Sequence, residues 1–156
     1  MSTLRLQVVA EARAWLGTPY HAHARVKGHG VDCVHMLCAV YEACGLVPPI
    51  EPGSYSVAWH LHQREELYMA ALDARASRTE HPQPGDIALL RFGQTFSHAG
   101  IVSERGTLLH AYNRRGNGVV METPLAEPNL ARRRTIFYDL YSLRAHHGWH
   151  DNDQHQ

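Results

Sequence analysis

Three cysteines, Cys33, Cys38 and Cys44, lie close together in the first third of the chain. Cys33 directly follows Asp32, a residue type that commonly caps a helix N-terminus. At a helix start, unpaired backbone N–H groups and the helix dipole favour a thiolate and lower the thiol pKa. Cys38 and Cys44 fall further along the same predicted helix, so we interpret them as packing residues. Cysteines at these helical spacings rarely meet disulfide geometry, so we expect free thiols, with Cys33 as the nucleophile.

A thiol nucleophile needs a base and a group that orients the base, and two histidines can supply both. The segment 104–106 has the length of a hairpin loop, with Gly106 in the left-handed position. That register makes His98 and His110 diagonal neighbours on one face of two paired strands. Gly100 then lies directly opposite His110 and leaves room on that face. The pattern therefore predicts a cysteine–histidine site.

Helical periodicity and termination signals predict three helices in the first half of the chain. The first runs from Leu4 to Leu16, where Gly17-Thr-Pro19 ends it. A loop from Tyr20 to Val31 precedes the second helix. That helix begins after Asp32, is apolar almost all round, and stops at Gly45. A third helix is predicted for 57–76, beyond a Pro/Gly/Ser connector.

The second half has the character of short strands that follow a turn at Pro82–Asp86. Helices first and strands second predict an α+β fold, with an antiparallel sheet of about five strands packed on the helices. Residues 1–145 would form a single domain, and the polar, His-rich segment 146–156 would be disordered. The predicted strands are Ile87–Phe92, His98–Ser103, Leu108–Tyr112, Val119–Glu122 and Ile136–Leu143.

Composition excludes several classes of partner. Lys+Arg and Asp+Glu both number 15, so charge predicts neither a nucleic-acid partner nor an anionic membrane surface. We interpret the run Arg132–Arg134 as a solvated turn or a protein contact, because no aromatic residues are interleaved with it. No segment reaches the roughly 20 apolar residues of a membrane span, and the start lacks an apolar export segment. We expect synthesis in the cytoplasm without a signal peptide.

Five short motifs resemble, in order and spacing, those of the NlpC family of papain-like cell-wall peptidases. They are Gly17-Thr-Pro-Tyr20, Gly30-Val-Asp-Cys33, Pro84-Gly-Asp86, Ser97-His-Ala-Gly-Ile101 and Leu109-His-Ala111, within a match over roughly 4–143. The resemblance implies a papain-like fold with Cys33 as nucleophile, His98 as general base and His110 as its orienting residue. It also implies that Tyr20 helps the backbone N–H of Cys33 to hold an oxyanion. The implied substrate is the peptidoglycan stem peptide, cut between D-glutamate and the diamino acid.

Two segments depart from the common family pattern. The usual Asp-Cys-Ser-Gly is Asp32-Cys33-Val34-His35, and His21-Ala-His23-Ala-Arg25 replaces the usual Trp-Gly-Gly. The stretch 24–33, together with Trp59-His-Leu-His62, resembles the branch of the family found in tailed phages. This implies a virion location at the tail tip, with other tail-tip or baseplate proteins as partners. We expect substrate contacts from Asp32, His21, His23 and Trp59.

Three other interpretations remain open from the sequence. Thirteen histidines suggest a metal, yet no His-Glu-x-x-His or Cys-x-x-Cys pattern is present, and the expected chemistry needs no metal or organic cofactor. A tail-tip hub or plug would keep the fold with little or no hydrolase activity. A papain-like acyltransferase or amidase with a substrate outside the cell wall would keep the same catalytic residues.

Overall fold

The structure is a computed structural model that describes residues 2–49, 61–113 and 117–142, with the backbone alone for 61–67. In these ranges no helix is both long enough and apolar enough to cross a lipid bilayer. The elements, in chain order, are α1 (Thr3–Arg13), β1 (Arg25–Val26), β2 (Gly30–Val31), α2 (Cys33–Ala43), α3 (Leu61–Arg75), β3 (Ser77–Thr79), β4 (Ile87–Phe92), β5 (Thr95–Val102), β6 (Thr107–Tyr112), β7 (Val119–Pro124), α4 (Pro128–Ala131) and β8 (Thr135–Asp139).

The main sheet confirms the predicted α+β class but has six strands rather than about five. Its order is β3-β8-β4-β5-β6-β7, and every pair is antiparallel. The strand missed from the sequence is β3, whose three residues are too few to show an alternating pattern. A second, two-stranded sheet of β1 and β2 lies inside the stretch 20–31 that was predicted to be a loop. The division of the chain at 145 falls outside the described residues.

Helix α1 begins at a serine cap and ends earlier than expected. The Ser2 side chain accepts a hydrogen bond from the Arg5 N–H at 3.2 Å. The helix stops at Arg13 rather than Leu16, and tight turns lead to Gly17, which has a φ of 83°. The Gly17 N–H donates to the Val120 carbonyl at 2.9 Å, which ties the chain after α1 to β7. Pairing with the sheet therefore takes over from helical bonding at this point.

Helix α2 runs through the centre of the molecule, as its apolar sequence predicts. Seven of its eleven residues are buried, and Gly45 follows its end with a φ of 73°. Helices α1 and α2 pack on one face of the sheet, where Ile87, Ile101 and Leu109 contribute to the main core. The short helix α4 covers the opposite face, where Leu130 packs with a smaller apolar cluster. The sheet is thus buried on both faces, and α2 is fixed against one of them.

A buried ion pair connects the first helix to the sheet. The Arg5 guanidinium donates to Asp86 Oδ1 and to the Pro84 carbonyl, both at 2.9 Å, and lies 3.4 Å from Asp139 Oδ1. It also stacks over the Tyr141 ring at 4.0 Å from the centroid. The contact joins α1, the turn before β4 and the end of β8. It gives the Pro84-Gly-Asp86 motif a structural role.

Gly85 is required by crowding as well as by backbone conformation. Its φ is 88°, and its carbonyl accepts hydrogen bonds from the hydroxyls of Tyr41 at 2.7 Å and Tyr141 at 3.0 Å. A Cβ at this position would collide with the Tyr141 hydroxyl. The turn therefore brings α2, β4 and the residues after β8 together at one carbonyl group.

Replacing Arg5 with methionine should lower the free energy of unfolding by about 3–5 kcal/mol, because Asp86 would stay buried without its cation. Urea unfolding followed by circular dichroism measures the loss. The control is Arg78→Met, which breaks the exposed pair with Asp73, whose side chains are 51% and 43% accessible. That change should cost less than about 1 kcal/mol. Equal losses in the two variants would contradict a stabilising role for the buried pair.

Candidate active site

Cys33 is the first residue of α2, and its thiol lies against the backbone of β5. The sulfhydryl donates to the Ser97 carbonyl with an Sγ to O distance of 3.9 Å, and the Ala99 N–H also interacts with the sulfur. In the pairing of β5 with β4, His98 lies opposite Leu90 and Phe96 lies opposite Arg91. Ser97 has no partner residue on β4, so it is the extra residue of a β-bulge. The thiol therefore contacts the peptide groups on both sides of His98.

The helix position predicts a lowered pKa for the Cys33 thiol, but the pKa is raised. Burial, and then the charge of Asp32, raise the pKa to about 11. The N–H groups of Ala99, Val34 and Cys33 itself do lower it, as expected at a helix start, but burial outweighs them. All three cysteines are free thiols, as predicted. The Cys33 thiol is therefore protonated at neutral pH.

His98 and His110 meet in the register that the hairpin predicts. Gly106 has a φ of 69°, and Ile101 pairs with Leu109. The same register places Gly100 opposite His110. An added Cβ on Gly100 would lie 2.9 Å from the His110 Cβ, so glycine is needed there. Nε2 of His98 and Nδ1 of His110 are 2.6 Å apart. The prediction that these side chains are neighbours is confirmed.

A hydroxyl group that the sequence did not indicate extends this hydrogen-bonded chain. Nε2 of His110 lies 2.9 Å from Oγ1 of Thr123 on β7. Thr123 pairs with Leu108, and Met121 pairs with His110, so Thr123 is a diagonal neighbour of His110. The β6–β7 connection, residues 113–118, contains Asn117-Gly118, but with six residues it is too long to fix the register as a two-residue turn does. The sequence therefore gave no means of counting across it.

Both histidines are neutral in the resting site because they are buried. Only 7% of His98 and 1% of His110 is accessible to solvent. Burial, then the charges of His110 and Arg133, lower the pKa of His98 to about 3. Burial lowers the pKa of His110 to about 4. Two neutral rings share a single proton between Nε2 of His98 and Nδ1 of His110.

Aromatic rings enclose the histidine pair. The Phe92 ring lies 4.8 Å from the His98 ring, and Tyr112 stacks on His110 with centroids 5.5 Å apart. The Arg133 guanidinium stacks on the Phe92 ring, 3.7 Å from its centroid. Arg133 also donates to the carbonyls of Asn129 and Arg91. These groups keep the imidazoles in a low-dielectric environment.

The structure joins the two histidines directly but joins the thiol to them through the strand backbone. The hydrogen bond of the thiol runs to Ser97 rather than to the His98 ring. Because Nε2 of His98 is bound to His110, Nδ1 is the nitrogen through which His98 would act on Cys33.

Tyr20 lies on a segment that the sheet holds close to the start of α2. Its N–H donates to the Gly118 carbonyl at 2.8 Å, and it forms a bridge with Val31, two residues before Cys33. Its half-buried side chain packs against the main core. The role of its hydroxyl at an oxyanion site stays a prediction.

Asp32 has a local structural role in addition to any contact with substrate. Oδ1 accepts from the His35 N–H at 2.8 Å and lies 2.7 Å from Nδ1 of the same residue, while Oδ2 accepts from the His23 N–H at 2.7 Å. Burial raises the pKa of Asp32, but the hydrogen bonds from His35 and His23 outweigh it, so the net shift is downward. The carboxylate is thus used to cap α2 and to hold the preceding loop.

The other predicted substrate contacts have different surroundings. His21 and His23 are exposed, and His23 has a φ of 65°. Trp59 lies outside the described residues. The sequence did not indicate His35, which is buried beside Asp32 with its ring 6.4 Å from that of His23. In the ranges that the structure describes, no group of three or more metal-ligating side chains is placed to hold an ion.

Solved structures with a similar fold are NlpC/P60 proteins. The NlpC/p60 domain of the peptidoglycan hydrolase SagA aligns over 85% of this chain and 96% of its own, with 17% identity and a TM-score of 0.56. An NlpC/P60 family protein from Bacillus cereus gives 19% identity and a TM-score of 0.57 over 85% of this chain. A lipoprotein-like NLP/P60 protein from Staphylococcus aureus gives 17% and 0.60 over 90%.

This likeness shows that the chain has an NlpC/P60-like fold. The alignment covers 39% of the Bacillus cereus chain and 42% of the Staphylococcus aureus chain, so this chain spans about two fifths of each. No protein-family profile matches the sequence, and no curated protein sequence does.

Acid should destabilise the protein through the buried histidines. Their folded pKa values of about 3 and about 4 lie below the ordinary value of 6.5, so their stabilising contribution is complete above that value. It is lost as the pH falls towards the folded pKa values, by up to about 1.4 kcal/mol per pH unit for each histidine. Urea unfolding at pH 7 and at mildly acidic pH should show this loss.

Two variants separate this effect from the titration of other groups. His110→Gln should reduce the slope of unfolding free energy against pH, whatever its effect on stability at pH 7. His81→Gln, which changes an exposed histidine, should leave the slope as in the parent protein. An unchanged slope in His110→Gln would mean that the buried pair does not cause the acid sensitivity.

Proposed function

We propose that the chain is a cysteine peptidase that hydrolyses peptidoglycan stem peptides at the bond between D-glutamate and the diamino acid. The observation that carries this proposal is the buried His98–His110 hydrogen bond, on a strand whose peptide groups at His98 contact the Cys33 thiol. The fold it shares with a domain of a peptidoglycan hydrolase supports the same class of substrate. The order of the five sequence motifs supports it as well.

The first chemical step is attack of the Cys33 sulfur on the amide carbonyl carbon. The thiol is protonated at rest, so its proton passes to Nδ1 of His98 as the carbon–sulfur bond forms. His98 then donates through Nε2–H to Nδ1 of His110, which stabilises the imidazolium. The backbone N–H of Cys33 and the Tyr20 hydroxyl hold the oxyanion of the tetrahedral intermediate. The thiolate and the imidazolium never have to exist separately in the buried site.

The second half of the cycle returns both groups to their resting state. The imidazolium gives its proton to the leaving amine as the carbon–nitrogen bond breaks, which leaves a thioester on Cys33. A water molecule then loses a proton to His98 and attacks the thioester carbonyl. The carboxylic acid departs, and the proton returns from His98 to sulfur. No metal or organic cofactor takes part in these steps.

A specific observation favours a second candidate function, that of a structural protein in a phage tail. The thiol hydrogen-bonds to a main-chain carbonyl, and its pKa of about 11 lies well above that of an activated cysteine. A tail-tip hub or plug with the same fold would tolerate such a thiol. In that case Cys33 would serve packing at the start of α2.

Digestion of purified peptidoglycan, with mass spectrometry of the fragments, should show new D-glutamate carboxyl and diamino-acid amino termini. Cys33→Ala should abolish cleavage because it removes the nucleophile. His98→Gln should reduce the rate by at least about 10²-fold, the usual range for loss of acid–base catalysis. Cys38→Ala is the matched control and should keep the parent rate, because Cys38 lies further along α2. Absence of new termini with the folded parent protein would favour the structural candidate.

We further propose that the chain is a component of phage tails or phage-derived particles. The likeness of residues 24–33 to the tail-associated branch supports this placement. Mass spectrometry of gradient-purified particles should find this chain in the tail fraction at a fixed ratio to a tail protein. Recovery of the chain only outside the particles would contradict the placement and leave the proposed hydrolase activity untouched.

A further inference from the structure

The Thr123 hydroxyl is the last group of a hydrogen-bonded chain that runs across three neighbouring strands. His98 on β5 contacts His110 on β6 at 2.6 Å, and His110 contacts Thr123 on β7 at 2.9 Å. His98 uses Nε2 for its contact with His110. His110 uses Nδ1 for that contact and Nε2 for its contact with Thr123. The position of one proton therefore determines the positions of the others.

Two arrangements of protons satisfy these distances. In the first, His98 donates from Nε2 to Nδ1 of His110, and His110 donates from Nε2 to the Thr123 oxygen. In the second, Thr123 donates to Nε2 of His110, which donates from Nδ1 to Nε2 of His98. A threonine hydroxyl can act either way, because it carries one donor and two acceptor sites. The arrangements differ in which nitrogen of each ring carries hydrogen.

Only the first arrangement gives His98 a lone pair on Nδ1. In the second, Nδ1 of neutral His98 already carries a proton, so the ring cannot accept one from Cys33 at that atom. The first arrangement also prepares the charged form, because imidazolium His98 already donates to an accepting nitrogen on His110. Nε2–H of His110 in turn donates to the hydroxyl, which completes a charge-assisted chain.

We propose that Thr123 is a positioning residue that holds His110 in the Nε2–H tautomer, and thereby keeps Nδ1 of His98 unprotonated. The effect of this tautomer on catalysis rests on the proposed hydrolase function, whereas the presence of the Nε2–H tautomer on His110 does not. Groups that orient histidines in this way are often nearly as important as the histidines, and their loss commonly costs about 10-fold to 100-fold at metal sites. Thr123 touches neither the thiol nor the reacting atoms in this mechanism.

Nitrogen NMR of the imidazole rings tests the tautomers in the full chain without any substrate. Long-range proton–nitrogen correlation spectra at neutral pH should show His98 and His110 protonated at Nε2. The same spectrum should be found in Thr123→Ser, which keeps the hydroxyl. In Thr123→Val, of similar shape but without the hydroxyl, His110 should shift wholly or partly to the Nδ1–H form.

A parent spectrum with His110 protonated at Nδ1 overturns the proposal, whether or not any variant folds. An unchanged His110 tautomer in folded Thr123→Val overturns it too. With a defined stem peptide, kcat should fall about 10-fold to 100-fold in Thr123→Val, with KM within about 2-fold, and Thr123→Ser should restore it. Because the spectra need no turnover, an inactive parent protein would count against the proposed function and leave the tautomer result intact.

Discussion

Burial of helix α2 against one face of the sheet is the constraint on which the site depends. The helix cannot slide or rotate without exposing Met36, Val40 and the other residues of its apolar surface. The Asp32 cap fixes the residue at which the helix begins, so the position of Cys33 is determined to within one turn. The bulge at Ser97 then presents a carbonyl and an N–H group to the sulfur. Helix packing and strand irregularity together decide where the Cys33 thiol lies.

The same burial sets the electrostatic state of the site. Low dielectric surroundings disfavour a charge on either the thiol or the imidazoles, so all three groups are neutral at rest. Removal of a proton from Cys33 is favourable only if a partner receives it nearby, since an isolated buried charge is costly. Its histidines are held by hydrogen bonds to each other rather than by a carboxylate.

Local signals in the sequence were sufficient for several parts of this arrangement. Asp32 and Gly45 mark the ends of α2, and Gly106 sets the hairpin register that joins His98 to His110. These features depend on residues close together in the chain, where conformational preference decides the outcome. The bulge at Ser97 has no comparable signal, because one additional residue in a strand changes no local preference. The pairing of Arg5 with Asp86 spans about half of the chain and arises only from packing.

The sign of the Cys33 pKa shift shows the same division between local and tertiary effects. The helix-start N–H groups act as the sequence predicts, but the depth of burial depends on the whole fold. Thr123 was missed because the six-residue connection between β6 and β7 is too long for its Asn117-Gly118 signal to fix the register. Strand β3 was missed because its three residues pair with β8 only where the rest of the sheet is already formed. His35 was missed because its ring pairs with Asp32, whose carboxylate the sequence assigned to the cap of α2.

The contact of Arg5 with Asp139 has an architectural consequence. One residue lies in the first turns of α1 and the other is the last residue of β8, so the start of α1 and the end of β8 are adjacent. A polypeptide joined before α1 and another joined after β8 would emerge from the same side. Domains with neighbouring ends can be inserted into a larger protein without distortion of their own core.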